Sequence, residues 1–262
     1  MEKLLEFLAW LVKVLFGGDS ESPAPETPRE TPVEKAVTGW EGDPPYRYID
    51  VSRYQGAIDW AQVAAAGYKG VMLKTVSTNR RLSKRADGLY IDPTFETNYR
   101  NAKAAGLAVG VYYYTYATSE AMVDAELSLL ADALRGKTLE MPVAVDVEDN
   151  KFRVLGKQAL TDLTAYALKK VEDMGFYAQL YTYTSFAKTR LYMGGAALSP
   201  YDVWLADYTG KTPAVTFAYN THQHTSKGSV PGISGDVDLN VTTRNYPRII
   251  CNKGLTRLRE GK

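Results

Sequence analysis

Four acidic residues stand in or at the ends of short β-prone runs: Asp50 in YRYIDV (46–51), Asp146 and Glu148 in PVAVDVE (142–148), and Asp238 in DVDLN (236–240). Side chains along a strand alternate, so Asp146 and Glu148 share a face, with backbones about 7 Å apart. Two carboxyls that close can serve one bond. Repulsion and partial burial raise the pKa of one, which stays protonated, while a better-solvated partner stays ionised. That asymmetry is what cleavage of a glycosidic bond needs: an acid for the leaving oxygen and a negative group for the oxocarbenium-like centre. Glu148, with the longer reach, is the expected acid. An isolated strand-end acid more often caps a helix or binds loop amides, the role expected of Asp149 and Asn150; the joint occurrence of four favours chemistry.

Aromatic residues accompany these acids. Tyr112 and Tyr114 share one phase of LAVGVYYYTY (107–116), and Trp204 and Tyr208 belong to or follow DVWLAD (202–207). Such rings suit a sugar-stacking groove, and the polar handles of Trp204 and Tyr208 are expected to meet water there. Tyr113 and Tyr116 are expected to fill the barrel.

The elements that must position these residues alternate. To the five runs above are added GVMLKT (70–75), YAQLYT (177–182) and TFAYNTHQH (216–224), making eight candidate strands. Between them DWAQVAAAG, PTFETNYRNAKAAG, SEAMVDAELSLLADALRG and LTDLTAYALKKVEDMG carry helical spacing, most closed by a glycine. Alternation of this kind predicts an α/β fold, a TIM-like (β/α)8 barrel whose working residues stand at the C-terminal ends of its strands. About 200 residues are the lower limit for that fold. The segments after 207 and 224 are too short or too rich in Gly and Pro for full helices, so the barrel is expected to be irregular, with reduced helices in its last third.

Two segments precede the barrel. Residues 1–16, MEKLLEFLAWLVKVLF, form an amphipathic pattern whose charges cluster on one side of a helical wheel. The run is shorter than the ~20 apolar residues of a membrane span. No small-residue cleavage site follows it, so it is expected to lie at a membrane surface or dock on a protein partner. Residues 17–45 are crowded with Pro, Glu, Ser and Thr and read as a linker. Residues 46–250 are assigned to the catalytic barrel and 251–262 to a C-terminal tail.

The 262 residues, 45% hydrophobic and 23% charged, suffice for a sizeable core. A net charge of +1 gives no general drive toward nucleic acid, and none is expected as a partner. Cys251 has no second cysteine to pair with. His222 and His224 flank Gln223 without an evident third ligand, so no metal or other cofactor is expected.

Five segments in order carry a family resemblance: IDVSRYQGAIDW (49–60), GLAVGVYYYTYA (106–117), MPVAVDVED (141–149), VWLADY (203–208) and HQHTSKGSVPGISGDVDLN (222–240). The chain from about Tyr46 to Tyr246 resembles glycoside hydrolase family 25, the bacterial and phage N-acetylmuramidases often called Chalaropsis-type lysozymes. The resemblance implies an irregular barrel that cuts the β-1,4 bond from N-acetylmuramic acid to N-acetylglucosamine in peptidoglycan glycan strands. It implies that Asp50, Asp146, Glu148 and Asp238 are the active-site acids, Glu148 the proton donor, and that Tyr112, Trp204 and Gln223 line the groove. It also implies action at the bacterial cell wall. Residues 1–45 lie outside the match; from their own pattern, the wall is expected to be reached through membrane lesions or by membrane association of the first helix. The chain departs from the family pattern at KTVSTN (74–79), where Ser77 stands in place of a frequent glutamate, and at His222 and His224, where aromatic residues commonly flank the glutamine.

Two other classes compete. A chitinase-like barrel also ends a strand in D-x-E, but the longer D-x-x-D-x-D-x-E run is absent, since MPVAV precedes Asp146. A sugar-binding module that has lost catalysis fits poorly with four retained acids.

Overall fold

The computed structural model describes residues 37–258. In chain order these form β1 (Tyr46–Val51), α1 (Trp60–Ala65), β2 (Gly70–Lys74), β3 (Val76–Thr78), β4 (Leu89–Ile91), α2 (Phe95–Ala104), β5 (Ala108–Tyr114) and α3 (Glu120–Leu134). There follow β6 (Val143–Asp146), α4 (Lys157–Asp173), β7 (Ala178–Tyr183), α5 (Thr184–Arg190), β8 (Asp202–Ala206), β9 (Thr221–Gly228), β10 (Val237–Thr242) and α6 (Tyr246–Lys253). Eight strands close a barrel in the order β1-β10-β9-β8-β7-β6-β5-β2. All neighbours pair in parallel except β10, which runs antiparallel to both β1 and β9.

Strand alternation explains the two cores. One phase, with Ile49, Val71, Val109, Val111, Val145 and Leu205, faces outward and packs against helix residues such as Leu127, Leu130 and Leu168. The other phase, with Tyr48, Met72, Ala144 and Trp204, fills the barrel interior. Bulky and small residues must alternate there. At Gly110 a Cβ would stand 2.6 Å from Met72 Sδ, so the inward position of β5 has room for hydrogen alone.

Local chemistry sets the helix ends. Asp59 caps α1 by accepting from Ala61 N and Gln62 N, and Ser119 caps α3 by accepting from Met122 N. Gly106 and Gly175, at φ 78° and 99°, stop α2 and α4 where L side chains are strained.

The expected barrel is present with all eight strands, and no helix separates β8 from β9 or β9 from β10. The strand polarity differs from a regular (β/α)8 barrel: a short connection without a helix can only return the chain as a hairpin, so β10 is antiparallel. The run 216–224 is strand only from Thr221. The β3–β4 hairpin, α5 and α6 were not among the predicted elements; each is too short or too polar to give a distinct period. Packing also reaches beyond residues 46–250. Trp40 is buried against Tyr46, with ring centroids 5.0 Å apart, and its Nε1 donates to Lys69 O at 2.9 Å. At the other end α6 runs to Lys253, and Phe176 pairs with Thr256. The N-terminal helix expected over 1–16 and most of the 17–45 linker lie outside the described residues.

Candidate active site

The inward phase of the strands carries the acids to one mouth of the barrel. Asp50 follows Tyr48 on β1, and Asp146 follows Ala144 on β6; in both cases the inner residue is buried core and the acid is its neighbour toward the C-terminal end. Asp238 reaches the same mouth from the start of β10 because that strand runs the other way. Glu148 lies just past β6. All nine residues nominated from sequence, namely Asp50, Asp146, Glu148, Asp238, Tyr112, Tyr114, Trp204, Tyr208 and Gln223, line a single cavity of about 300 Å³. A second cavity of about 390 Å³, bounded by Thr184, Asp207 and Thr209, shares Glu148, Tyr181 and Tyr208 with the first. Glu148 therefore stands where two hollows meet.

Asp50 is the most tightly held acid. Its Oδ2 accepts from Gln223 Nε2 and from Asn240 Nδ2, each at 2.8 Å. Gln223 and Asn240 are themselves paired across β9 and β10, which is why both amides converge. Each amide is oriented in turn. Gln223 Oε1 accepts from Tyr181 OH at 2.8 Å and Tyr208 OH at 2.6 Å, and Asn240 Oδ1 accepts from Trp204 Nε1 at 2.7 Å. Burial, then the facing Asp238 carboxylate, push the Asp50 carboxyl well above the ordinary range despite these donors. Asp238 is pushed to about 6 by burial, with a hydrogen bond from Asp50 opposing.

Asp146 and Glu148 form the second pair. Asp146 is buried, its Oδ1 has no hydrogen-bond partner, and burial followed by the Glu148 charge raise its pKa well above the usual value. Glu148 is half-buried and pushed to about 7, chiefly by desolvation, with Lys74 pulling the other way. Both members are raised, Asp146 by burial and Glu148 to about 7, so the pair holds a proton near neutral pH.

The aromatic expectations divide. Tyr112 and Tyr114 line the cavity, with the Lys74 Nζ 5.8 Å and 5.0 Å from their ring centres. Tyr208 is 51% exposed at the rim. Trp204 corrects the sequence reading: at 1% exposure it is cavity floor, and its indole N–H is satisfied by Asn240, not by a wet groove. Tyr113 is buried, in the layer between strands and helices. Tyr116 does not fill the barrel; it is half-buried beside Tyr114, under the Lys151 ammonium, because the strand has ended by Tyr114. The end of β5 is clamped by buried Glu126, which accepts from Thr115 Oγ1 at 2.6 Å and Tyr116 N at 3.1 Å.

Asp149 does cap the following turn, accepting from Lys151 N at 2.7 Å, and also accepts from Tyr114 OH at 3.1 Å. His222 Nε2 meets Asp207 O at 2.9 Å, and Ser77 donates to Tyr114 O at 3.3 Å. Among the described residues no three His, Cys, Asp or Glu side chains are arranged to hold a metal ion. Lys74, Tyr181 and Asn240 line or support the cavity and were missed. Each lies on the inward phase of a strand already nominated, two residues from a core or site position, and that phase was the available signal.

Comparison with known proteins agrees with this geometry. The family model for glycosyl hydrolases family 25 matches residues 49–233. The autolytic lysozyme of Clostridium acetobutylicum is 29% identical over 195 residues, covering 73% of this chain and 54% of that protein, so the chain spans about half of that relative's length. The uncharacterized protein YegX of Escherichia coli K12 is 31% identical over 196 residues, covering 74% of this chain and 68% of YegX. Among solved structures, the CTP1L endolysin superposes with a TM-score of 0.64 at 26% identity, covering 79% of this chain and 70% of that one. The chain belongs to family 25 of the glycosyl hydrolases.

Proposed function

We propose that this chain is an N-acetylmuramidase, a lysozyme that hydrolyses the β-1,4 bond from N-acetylmuramic acid to N-acetylglucosamine in peptidoglycan. The observation that carries the reading is the convergence of four carboxyls on one cavity, with Glu148 half-buried, pushed to about 7, and standing between two hollows. In this reading the muramic ring lies beside Asp146 and the leaving sugar occupies the second hollow. Glu148 gives its proton to the glycosidic oxygen as the C1–O bond breaks. The carbonyl oxygen of the ring's own acetamido group attacks C1, as in the substrate-assisted variants of glycoside hydrolysis. Asp146 accepts the acetamido N–H, a role supported by its unpartnered Oδ1. Water then attacks C1 and returns a proton to Glu148, with net retention.

Inversion instead requires a water opposite Glu148, activated by Asp50 or Asp238. Asp50 Oδ2 already accepts two amide donors, which favours a positioning role for it. Proton NMR of the first-formed anomer decides: the β-anomer supports assistance and the α-anomer overturns it. A turbidity assay on purified cell walls, with chitin as control, tests the substrate class; lysis of chitin alone would sink the muramidase reading.

Residues 1–16 and the linker are proposed to deliver the enzyme to its wall substrate through a membrane surface or protein partner. A 16-residue pattern with a broad apolar side favours burial against lipid or protein.

A further inference from the structure

Lys74 is an ammonium whose donors are unspent. It is the last residue of β2, in register with Tyr112 on β5, and its side chain enters the acid-lined cavity. Among the described residues it is the one cation lining that cavity, and it makes no hydrogen bond and no ion pair. What holds it are two ring faces, Tyr112 and Tyr114. A half-buried ammonium normally carries its three N–H donors to acceptors or to water. Burial lowers its pKa, opposed by the charges of Asp146, Asp92 and Glu148, while Arg53 reinforces the lowering. Asp92 is already engaged, accepting from Arg53 N, Thr94 N and Thr94 Oγ1. Asp146, the foremost of those charges, is the group assigned above to the acetamido N–H.

Sugar chemistry supplies the missing acceptor. The acetamido group is on C2, and the substituent that distinguishes muramic acid from glucosamine, a lactyl ether, is on the adjacent carbon C3. An acetamido group held at Asp146 brings the lactyl acyl oxygen out beside it. We propose that the Lys74 ammonium binds that acyl oxygen, a carboxylate in peptide-free glycan and an amide carbonyl where a peptide stem is attached, and so selects a muramic ring over a glucosamine ring at the cleaved position. A donor covered by bound glycan and left unpaired by the wrong ring is the strong form of discrimination. This inference rests on the muramidase reading and deepens it.

The test compares two disaccharides on the full-length protein. Calorimetric titration with N-acetylglucosaminyl-N-acetylmuramic acid and with chitobiose should show the muramic ligand bound about ten- to hundredfold more tightly by wild type, the range of a charge-assisted hydrogen bond. Lys74→Met should bring the two ligands within about twofold, and Lys74→Arg should keep most of the preference. Methyl esterification of the muramic carboxylates in peptide-free glycan should lower wild-type kcat/KM and leave Lys74→Met little changed. Equal binding of the two disaccharides by wild type overturns the proposal without recourse to any variant. Equal weakening of both by Lys74→Met also overturns it, and with a displaced pH–rate profile it identifies a cation that acts only on Asp146 and Glu148. Wild type that fails to lyse peptidoglycan defeats the muramidase reading, a result independent of the binding preference.

Discussion

Asp50 on β1 stands directly opposite Asp238 on β10 in antiparallel register, and both carboxyls line the same cavity. Like charges directly opposed across strands destabilise a sheet. The fold tolerates them because one proton is retained by the pair: Asp50 is raised well above the ordinary range, and Asp238 to about 6. A folded-state pKa above the unfolded value gives stability that is fully present below the unfolded pKa and lost as pH rises through the folded one. For Asp238 that loss falls between the ordinary carboxylate range and about pH 6. Asp238→Asn should therefore raise Tm at pH 8 by roughly 2–4 °C, about the effect of 1 kcal/mol in a domain of this size. The gain should vanish below pH 4, and thermal melts across this range check it. An unchanged Tm at pH 8 would mean that the pair is not a source of strain.

Glu148→Gln should preserve the fold and glycan affinity and lower kcat by about 10² to 10⁴, the span general acid catalysis supplies. Wall lysis above half the wild-type rate removes Glu148 from that role. Asp146→Asn should be similarly damaging if the acetamido group is the nucleophile, since a neutral amide supports the developing positive charge less well.

The pH–rate profile should fall on its alkaline side near pH 7. In the proposed mechanism Glu148 acts while protonated; burial holds it to about 7, and each unit above that removes its proton from most of the molecules. On the acid side activity should decline as the ionised member of the Asp146–Glu148 pair is protonated. The two limbs belong to the pair rather than to either residue. A profile of kcat/KM still flat at pH 9 would contradict the assignment.

The strands and their inward acids were legible because Asp50 and Asp146 interrupt apolar period-2 alternation at the C-terminal ends of their strands, whereas Asp202, at the start of β8, is a buried acid paired with Arg244. The direction of β10 was not legible, since DVDLN reads the same in either polarity; the short link from Gly228 to Val237 returns the chain as a hairpin, whereas the longer helix-free link from Ala206 to Thr221 leaves β9 parallel to β8. Lys74 was passed over because a lysine ending a strand is ordinarily a solvated terminus. Only the pairing of β2 with β5 brings it beside Tyr112 and Tyr114, far along the chain. The partner of the Trp204 indole N–H was misassigned for a related reason: Asn240 is 36 residues away, so the sequence offered water as the nearest satisfier.

Truncation should separate delivery from catalysis, and Trp40 decides where the cut belongs. Its Nε1 donates to Lys69 O, its backbone N donates to Asn245 Oδ1 at 3.0 Å, and its carbonyl accepts from Asn245 Nδ2 at 2.8 Å. The ring is buried at the base of the barrel interior with Tyr46, Met141 and Ile250. Removing residues 1–36 leaves these contacts intact, so kcat on soluble glycan fragments should change little while vesicle co-sedimentation, partner capture or oligomeric state is altered. Removing residues 1–40 deletes a buried tryptophan, a loss of about 3–5 kcal/mol, and should lower Tm sharply. If removal of residues 1–36 alone abolishes turnover on soluble fragments, the N-terminal segment belongs to the catalytic unit and the delivery role fails.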